Sequence, residues 1–360
     1  MNQQDLPYWV ALTAFRPFGA VRMSRLARRF PSMERAFTAS ALELTEAGIE
    51  PEIASRFLQE RIHIDPEALF RELEVHGVQA VTIRDEIYPP LLKHIYDAPA
   101  VLFVRGALPD PNRKHLAVVG ARKISDYGKR VVDDLIGPIA KAGVVIVSGL
   151  AYGVDSAAHD ATLRADGTTL AVLGSGVDHD SIYPSQNRSL ASRILAKGGA
   201  LISEFPLHTP PLKHHFPYRN RIIAGLCHGT LVVEAAIKSG SLITARSAMD
   251  SNRDVYAVPG PIHSPLSEGP NELIKNGATP VTKPEDVFGI EPMPEPIESY
   301  QPANEEETLI WSRLSRMPLH VDELIRSTQM PTPKLLSTLT LMEMKGGITH
   351  EGGQFYTRHA

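Results

Sequence analysis

Residues 116–149 read LAVVGARKISDYGKRVVDDLIGPIAKAGVVIVSG, and the fold follows from how that stretch divides. LAVVG (116–120) is a short, continuous apolar run, and VVIVSG (144–149) is a second one rich in β-branched residues. Between them DYGKRVVDDLIGPIAKAG is apolar at helical spacing. A strand without polar alternation is one covered on both faces, so strand, helix, strand predicts a parallel crossover unit. The pattern continues outward through TTLAVLG (168–174), ALISEF (200–205), GTLVVEA (229–235) and DVYAVPG (254–260). Helical segments such as GVDSAAHDATLRADG and SLITARSAMDSN lie between. The class is α/β, a parallel sheet with helices on both faces. Right-handed crossovers gather the strand-to-helix loops at one edge, where such sheets bind ligands.

The flanks are of other kinds. Residues 1–76 read as helices only, with apolar residues at helical spacing in VRMSRLARRF, PEIASRFLQERI and PEALFRELEVHG. Ser32 and Asp65 are expected helix N-caps, the second with Pro66 at the first helical position. Arg16, Arg22, Arg25, Arg28 and Arg29 make the first segment basic, which suits either a solvated helix face or contact with DNA. From Val78 to Pro111 short strands and proline loops form a lead-in edge to the sheet. Residues 291–304, acidic and proline-rich, read as a linker. The tail, 305–360, has three helical segments and a hairpin, a winged-helix pattern. Its third helix, TPKLLSTLTLMEMK, has only Lys334 and Lys345 as cations, too few for a major-groove reader. A protein-contact or regulatory role is expected for it.

Composition narrows the function classes. Of the 360 residues 43% are hydrophobic and 22% charged, as in ordinary globular chains, and no apolar run approaches a membrane span. The N-terminus lacks the basic-then-apolar pattern of a signal peptide. Cys227 is the sole cysteine, so no internal disulfide can form and a reducing, cytoplasmic setting is expected. The net charge of −4 means that any nucleic-acid site is a local patch.

The sheet edge concentrates glycine, serine and arginine. VVGARKIS should end a strand at Gly120 and start a helix near Ser125, offering amides, a helix dipole and Arg122 to a phosphate. SGLAYGVD, GSGVD and SGSLITAR repeat the device. None of these loops is G-x-G-x-x-G, and no G-x-x-x-x-G-K-[ST] occurs, so a nucleotide cofactor is not supported. The 14 histidines show neither H-E-x-x-H nor paired spacing with cysteine, so no metal is expected, and His159 and His228 read as packing or surface residues. Ser148 and Ser175 sit on turns outside any G-x-S-x-G elbow, and no nucleophile, base and acid set emerges.

Residues 205–240, FPLHTPPLKHHFPYRNRIIAGLCHGTLVVEAAIKSG, add the missing chemistry. A proline-broken loop presents Lys213 three residues before Phe216, and Arg219, Asn220 and Arg221 follow at the mouth of a helix. Cations for phosphates beside an aromatic face for a base are what single-stranded nucleic acid requires.

The blocks VVGARK, SGLAYGVDSAAH, AVLGSGVD with YPSQN, SEFP, FPYRNRIIAGL, VVEAAIKSGSLITA and YAVPG, in order from about Tyr88 to Ala278, resemble the DNA-processing protein A (DprA, or Smf) family. The resemblance implies an extended Rossmann-like domain over 77–290, an N-terminal helical domain of SAM or helix-hairpin-helix type over 1–76, and a C-terminal winged helix. It implies sequence-independent binding of single-stranded DNA, protection of incoming strands, homodimerisation and loading of the RecA recombinase in natural transformation. No catalysis, small-molecule cofactor or membrane partner is implied. The family's phosphate-gripping G-S-R falls on Gly120, Ala121 and Arg122, with alanine in place of serine. Its DNA-contacting lysine and stacking aromatic fall on Lys213 and Phe216, and its R-N-R on Arg219, Asn220 and Arg221. Two departures lie on the rim: Tyr152 stands where many members have arginine, and HDSI (179–182) lengthens the segment after Asp178.

The resulting candidate DNA-binding set is Gly120, Arg122, Lys123, Ser148, Gly149, Gly153, Gly174, Gly176, Lys213, Phe216, Arg219, Asn220 and Arg221. A rival reading comes from GTLVVEA, which resembles the G-T-x-x-E segment of nucleotide-processing phosphoribohydrolases. In that case Glu234 with Arg219 or Arg221 would act on the N-glycosidic bond of a nucleoside monophosphate. Against it, LCHGT stands where those enzymes place a double-glycine turn. The default for Glu234 is a buried structural carboxylate paired with an arginine.

Overall fold

A computed structural model of the chain describes residues 3–290 and 300–358. Contacts divide it into two compact units, Met1–Met293 and Pro294–Ala360. The expected linker at 291–304 falls largely on residues outside those described.

Nine strands form the sheet of the first unit: β1 (Val78–Thr82), β2 (Val101–Gly106), β3 (His115–Val119), β4 (Val145–Ser148), β5 (Thr169–Val172), β6 (Ala200–Ser203), β7 (Gly229–Val232), β8 (Asp254–Ala257) and β9 (Thr279–Pro280). Their order is β1-β2-β6-β5-β4-β3-β7-β8-β9. From β6 to β9 every pair is parallel. β1 and β2 add an antiparallel edge beside β6, as the lead-in segment suggested. β3 through β6 are wholly buried, as their unalternating sequences require. The chain leaves β6 and returns to pair β7 with β3, so strand order reverses between β3 and β7. Sheets of this kind bind ligands outside the strands' carboxyl ends at such a switch point.

Helices cover both faces. α8 (Asp126–Lys141) and α9 (Val154–Arg164) pack on one side of β3, β4 and β7, and α11 (His215–Gly225) and α12 (Ser241–Asp250) lie over the other. Three more helices flank the sheet, α7 (Pro90–Lys93), α10 (Arg188–Ala196) and α13 (Glu268–Lys275).

The N-terminal part contributes α1 (Leu6–Ala14), α2 (Ala20–Arg29), α3 (Met33–Phe37), α4 (Ala41–Glu46), α5 (Pro51–Glu60) and α6 (Pro66–Val75). Ser32 and Asp65 cap α3 and α6, accepting from the amides of Arg35, Glu67 and Ala68. Trp9, Phe15, Phe57 and Met23 lie in one core with Phe103, Leu173 and Leu201 of the sheet, so this helical head shares its interior with β2 and β6. The basic face of α2 is largely used inside the head. Arg22 pairs with Glu50 at 2.7 Å, Arg29 with Glu46 at 3.3 Å, and Arg25 donates to the Gly48 carbonyl at 2.6 Å.

The second unit has α14 (Glu305–Arg313), α15 (Val321–Thr328) and α16 (Thr332–Met344), with β10 (Leu319–His320), β11 (Ile348–Gly352) and β12 (Phe355–Arg358) in a three-stranded sheet. This is the winged-helix arrangement expected. Ile310, Leu324, Leu335, Leu339 and Met342 form its core. Lys334 pairs with Glu306, and Lys345 with buried Glu307 at 2.7 Å. Lys334 of α16 and Lys345 at its C-cap therefore answer the acidic run at the start of α14, while Leu336, Leu341 and Met344 face solvent.

Candidate nucleic-acid interface

The carboxyl-end loops of β3, β4, β5 and β6 meet the start of α11. Phe216, in the first turn of α11, is half-buried, and three neighbours fix its ring. Gly174 lies beneath it, where a Cβ would stand 3.1 Å from the ring edge. Tyr183 lies beside it, with centroids 5.7 Å apart and planes at 46°. The Arg122 guanidinium stands 5.7 Å from its centroid. Lys213 is exposed in the turn before α11, and Arg122 and Lys123 are exposed in the loop after β3. Among the described residues none of these three cations pairs with a carboxylate, unlike Arg22 and Arg29 of α2. An open aromatic face flanked by uncompensated positive charge is the result.

The loop after β3 is held by Gly153, whose φ of 78° and close approach to the Ala121 and Arg122 carbonyls exclude a side chain. A Cβ there would lie 2.2 Å from the Ala121 oxygen. The Val154 amide donates to that same oxygen at 3.1 Å. Gly120, Gly149 and Gly176 are likewise hemmed in, by Val154, the Arg219 guanidinium and the Asp178 carboxylate respectively. Their glycines answer packing between loops.

The amides expected to hold phosphates are largely satisfied inside the protein. Ser125 does cap α8, but its amide donates to Glu234 at 2.9 Å and its hydroxyl to the same carboxylate at 2.5 Å. A buried side chain thus occupies the anion position at the α8 N-terminus. Glu234 is structural as expected, but its partner is a helix cap and not an arginine. The Gly149 and Ala151 amides donate to buried Asp155 at 3.0 and 3.4 Å, and the Gly176 amide donates to the Thr209 carbonyl at 3.0 Å. The Ser148 hydroxyl, fully buried, donates to the Val118 carbonyl at 2.6 Å and ties β4 to β3. Positive charge at this edge comes from side chains.

The R-N-R block divides in the same way. Arg219 is 4% exposed and donates to the Gly149 carbonyl at 2.8 Å and to the Val172 carbonyl. It braces the ends of β4 and β5 above Asp155. Burial pulls its pKa down to about 10, against the attraction of Asp155, and burial raises that of Asp155 despite the arginine. Arg221 is also buried, paired with Glu204 at 2.5 Å and Asp97 at 2.9 Å, and lies 4.2 Å from the Tyr218 ring centroid. Asn220, half-buried, donates to the Gly240 carbonyl at 3.3 Å and ties α11 to the loop before α12. Of the predicted set, the structure brings Arg122, Lys123, Lys213 and Phe216 to the open edge. It commits the side chains of Ser148, Arg219 and Arg221 to the interior.

Sequence reasoning missed Tyr183, the neighbour of the Phe216 ring, and Asp155, the carboxylate beneath the β4 loop. A lone acid in the largely apolar start of α9 was the available signal for Asp155. Tyr152 sits on the rim, 40% exposed, with its hydroxyl donating to Gln186. HDSI forms a short 3-10 turn capped by Asp178. His159 is fully buried, and its Nδ1 lies 2.6 Å from the Thr169 hydroxyl. His228 accepts from the His115 amide at 3.1 Å. Both histidines pack, as expected. No helix among the described residues is long and apolar enough to cross a membrane.

Comparison with known proteins agrees with this architecture. Residues 79–290 match the family model described as DNA recombination-mediator protein A, and residues 293–354 match the DprA winged helix domain. Protein Smf of Escherichia coli is 40% identical over 327 residues, covering 88% of this chain and 86% of that protein. The X-ray structure of DNA processing protein A from Streptococcus pneumoniae superposes with a TM-score of 0.61 at 40% identity, covering 69% of this chain and 86% of that one. A structure of the Helicobacter pylori protein, described in terms of its single-stranded DNA binding mode, superposes at TM-score 0.51 and 28% identity, covering 58% and 93%. Both the sheet unit and the tail are accounted for: the chain belongs to the DNA-processing protein A (DprA/Smf) family.

Proposed function

We propose that the edge built on Arg122, Lys123, Lys213 and Phe216 binds single-stranded DNA without sequence preference. The observation that carries this is the Phe216 ring, half-open and flanked by cations that no carboxylate among the described residues neutralises. A base stacks on any aromatic face regardless of identity, at about 1–3 kcal/mol. The arginine and lysines hold neighbouring phosphates, and with roughly 2–4 neutralised per protomer the affinity is modest and salt-dependent. Two protomers on one strand act at high effective concentration, so homodimerisation raises apparent affinity steeply. Protection of incoming strands and RecA loading in transformation follow as the family role, in a cytoplasmic setting. The tail, with its lysines paired and apolar residues exposed on α16, is assigned to a protein contact.

Binding here needs no reaction. The phosphoribohydrolase reading requires Glu234 and an arginine free to act together, whereas Glu234 holds Ser125 and the arginines of α11 are buried against other partners. Full-length protein mixed with labelled oligo-dT and with duplex of the same length tests the proposal. Preference for the single strand, falling with salt, supports it, and equal affinity for duplex contradicts it. Incubation with adenosine monophosphate should release no adenine; stoichiometric release would move the protein to the enzyme class.

A further inference from the structure

Away from the edge, three side chains far apart in sequence converge where the head meets the loop between β6 and α11. Glu72, in the last turn of α6, and His76, at its C-cap, are four residues apart and so share a helix face. His208 comes to them from the loop, with its Nε2 2.9 Å from a Glu72 oxygen and its ring 5.5 Å from that of His76. One ligand atom from each residue lies within 4.8 Å of the other two. No cysteine spacing or H-E-x-x-H motif announces this group, which is why the sequence suggested no metal.

The loop presents His208 in a specific way. Its φ of 59° is left-handed for a residue with a Cβ. Its amide donates to Asp178 at 2.8 Å, and its Nδ1 stands 3.7 Å from the second oxygen of that carboxylate. Asp178 is 2% exposed and also accepts from the Ser181 amide at 3.2 Å, so it is fixed independently of the head. At 3.7 Å the carboxylate is beyond hydrogen-bond reach of Nδ1, and a small rotation of the ring would bring it to the outer position carboxylates take beside metal-ligating histidines, where they select the tautomer and raise ligand basicity.

We infer that Glu72, His76 and His208 bind a divalent transition ion, Zn2+ being the best match. Two imidazoles and one carboxylate are a zinc donor set, with the fourth tetrahedral position left to water. Bond lengths near 2.0–2.2 Å place tetrahedral donors about 3.3 Å apart, so small side-chain rotations close the group. His208 is exposed, which gives the ion a path in, and it also lines a cavity of about 590 Å3 with Phe18, Phe205, His215 and Tyr218. The bound ion fastens α6 of the head to the loop that runs on to Lys213 and Phe216. It thereby couples the head to the DNA edge.

The test uses the full chain with any affinity tag removed and metals stripped by chelation. Co2+ is titrated first, because tetrahedral Co2+ has distinctive visible absorption; Zn2+ is then titrated by calorimetry and in thermal melts. The expected result is one equivalent bound, tetrahedral Co2+ bands, and a melting temperature that rises with Zn2+. His76→Ala removes the bands and the thermal shift, Asp178→Asn weakens Zn2+ by about 10–100-fold, and His263→Ala, on a distant loop, changes nothing. Absence of a stoichiometric site in wild type, or Zn2+ binding as tight in His76→Ala and His208→Ala as in wild type, overturns the assignment. Either result leaves the cluster as a plain Glu72–His208 ion pair. His76 makes no side-chain hydrogen bond among the described residues, so its removal tests the metal without unfolding the joint.

Discussion

Replacing Arg219 by methionine separates two roles an arginine in this family block could play. The structure assigns Arg219 two charge-assisted hydrogen bonds, to the Gly149 and Val172 carbonyls, and makes it the positive charge that stabilises the buried Asp155 carboxylate. Such bonds contribute about 1.5–3 kcal/mol each, and leaving a buried charge without its partner costs about 3–5 kcal/mol. The terms overlap, so a loss of about 3–5 kcal/mol is expected, a large fraction of the ~5–15 kcal/mol total of a domain. Trp9 lies in the core shared by the head and the sheet, so urea unfolding followed by its fluorescence in a Trp311→Phe background reads the right unit. Arg122→Met is the counterpart. Its side chain is exposed, so stability should change by no more than about 0.5 kcal/mol. Its loss should lower the salt slope of oligo-dT binding by about 0.7, one phosphate's worth on a single strand. The reasoning fails if Arg219→Met loses under about 1 kcal/mol while its salt slope drops by that same ~0.7, for Arg219 would then be a phosphate ligand.

Phe216→Ala should weaken oligo-dT binding by about 1–3 kcal/mol while leaving the salt slope unchanged, in a titration repeated at several salt concentrations. His159 donates from Nδ1 to the Thr169 hydroxyl, which itself donates to the Ile146 carbonyl, leaving Nε2 buried and without a partner among the described residues. Burial, with help from Arg219, lowers its pKa from 6.5 to about 3, so the unfolded chain binds the extra proton first as pH falls. Stability is therefore full above about pH 6.5, and this group removes about 2 kcal/mol between pH 7 and 5. Urea melts at pH 5, 6 and 7 should show a slope that His159→Gln flattens. Gly153→Ala should cost at least about 1–2 kcal/mol, because it places a Cβ at positive φ against the Ala121 carbonyl. A melt within error of wild type would show that the loop after β3 gives way freely.

Local chemistry was readable from the sequence, and long-range pairing was not. Six of the seven parallel strands are legible as short apolar runs, because strands covered on both faces, as β3 to β7 are, must be continuously apolar, and Ser32, Asp65 and Ser125 are caps by residue type alone. Lys213 is legible because a cation in a proline-broken loop has little to bury against, whereas Phe216, expected in that loop, opens α11 and packs on Gly174 and Tyr183, since the helix starts at His215 and not at Arg219. Arg219 and Arg221 read as equally available because sequence does not say which way a helical side chain turns. Their partners Asp155, Asp97 and Glu204 lie on other elements. The anion site predicted at Ser125 was right in its physics and wrong in its occupant, since Glu234 fills it from 109 residues away. Glycine-rich loops misled likewise, because close packing between loops and close approach to a phosphate call for the same residue. The Glu72–His76–His208 group is the extreme case, since His208 reaches Glu72 from 136 residues away.

The measurement that bears most directly on the central claim is fluorescence anisotropy of labelled oligo-dT with wild type and with the Arg122→Ala/Lys213→Ala double variant, across a salt series. The account predicts that wild type binds the single strand, and that the double variant binds weakly with a slope shallower by about 1.4, two phosphates' worth. Wild-type affinity and slope retained in a correctly folded double variant would contradict it, and the binding face would have to be sought elsewhere on the molecule.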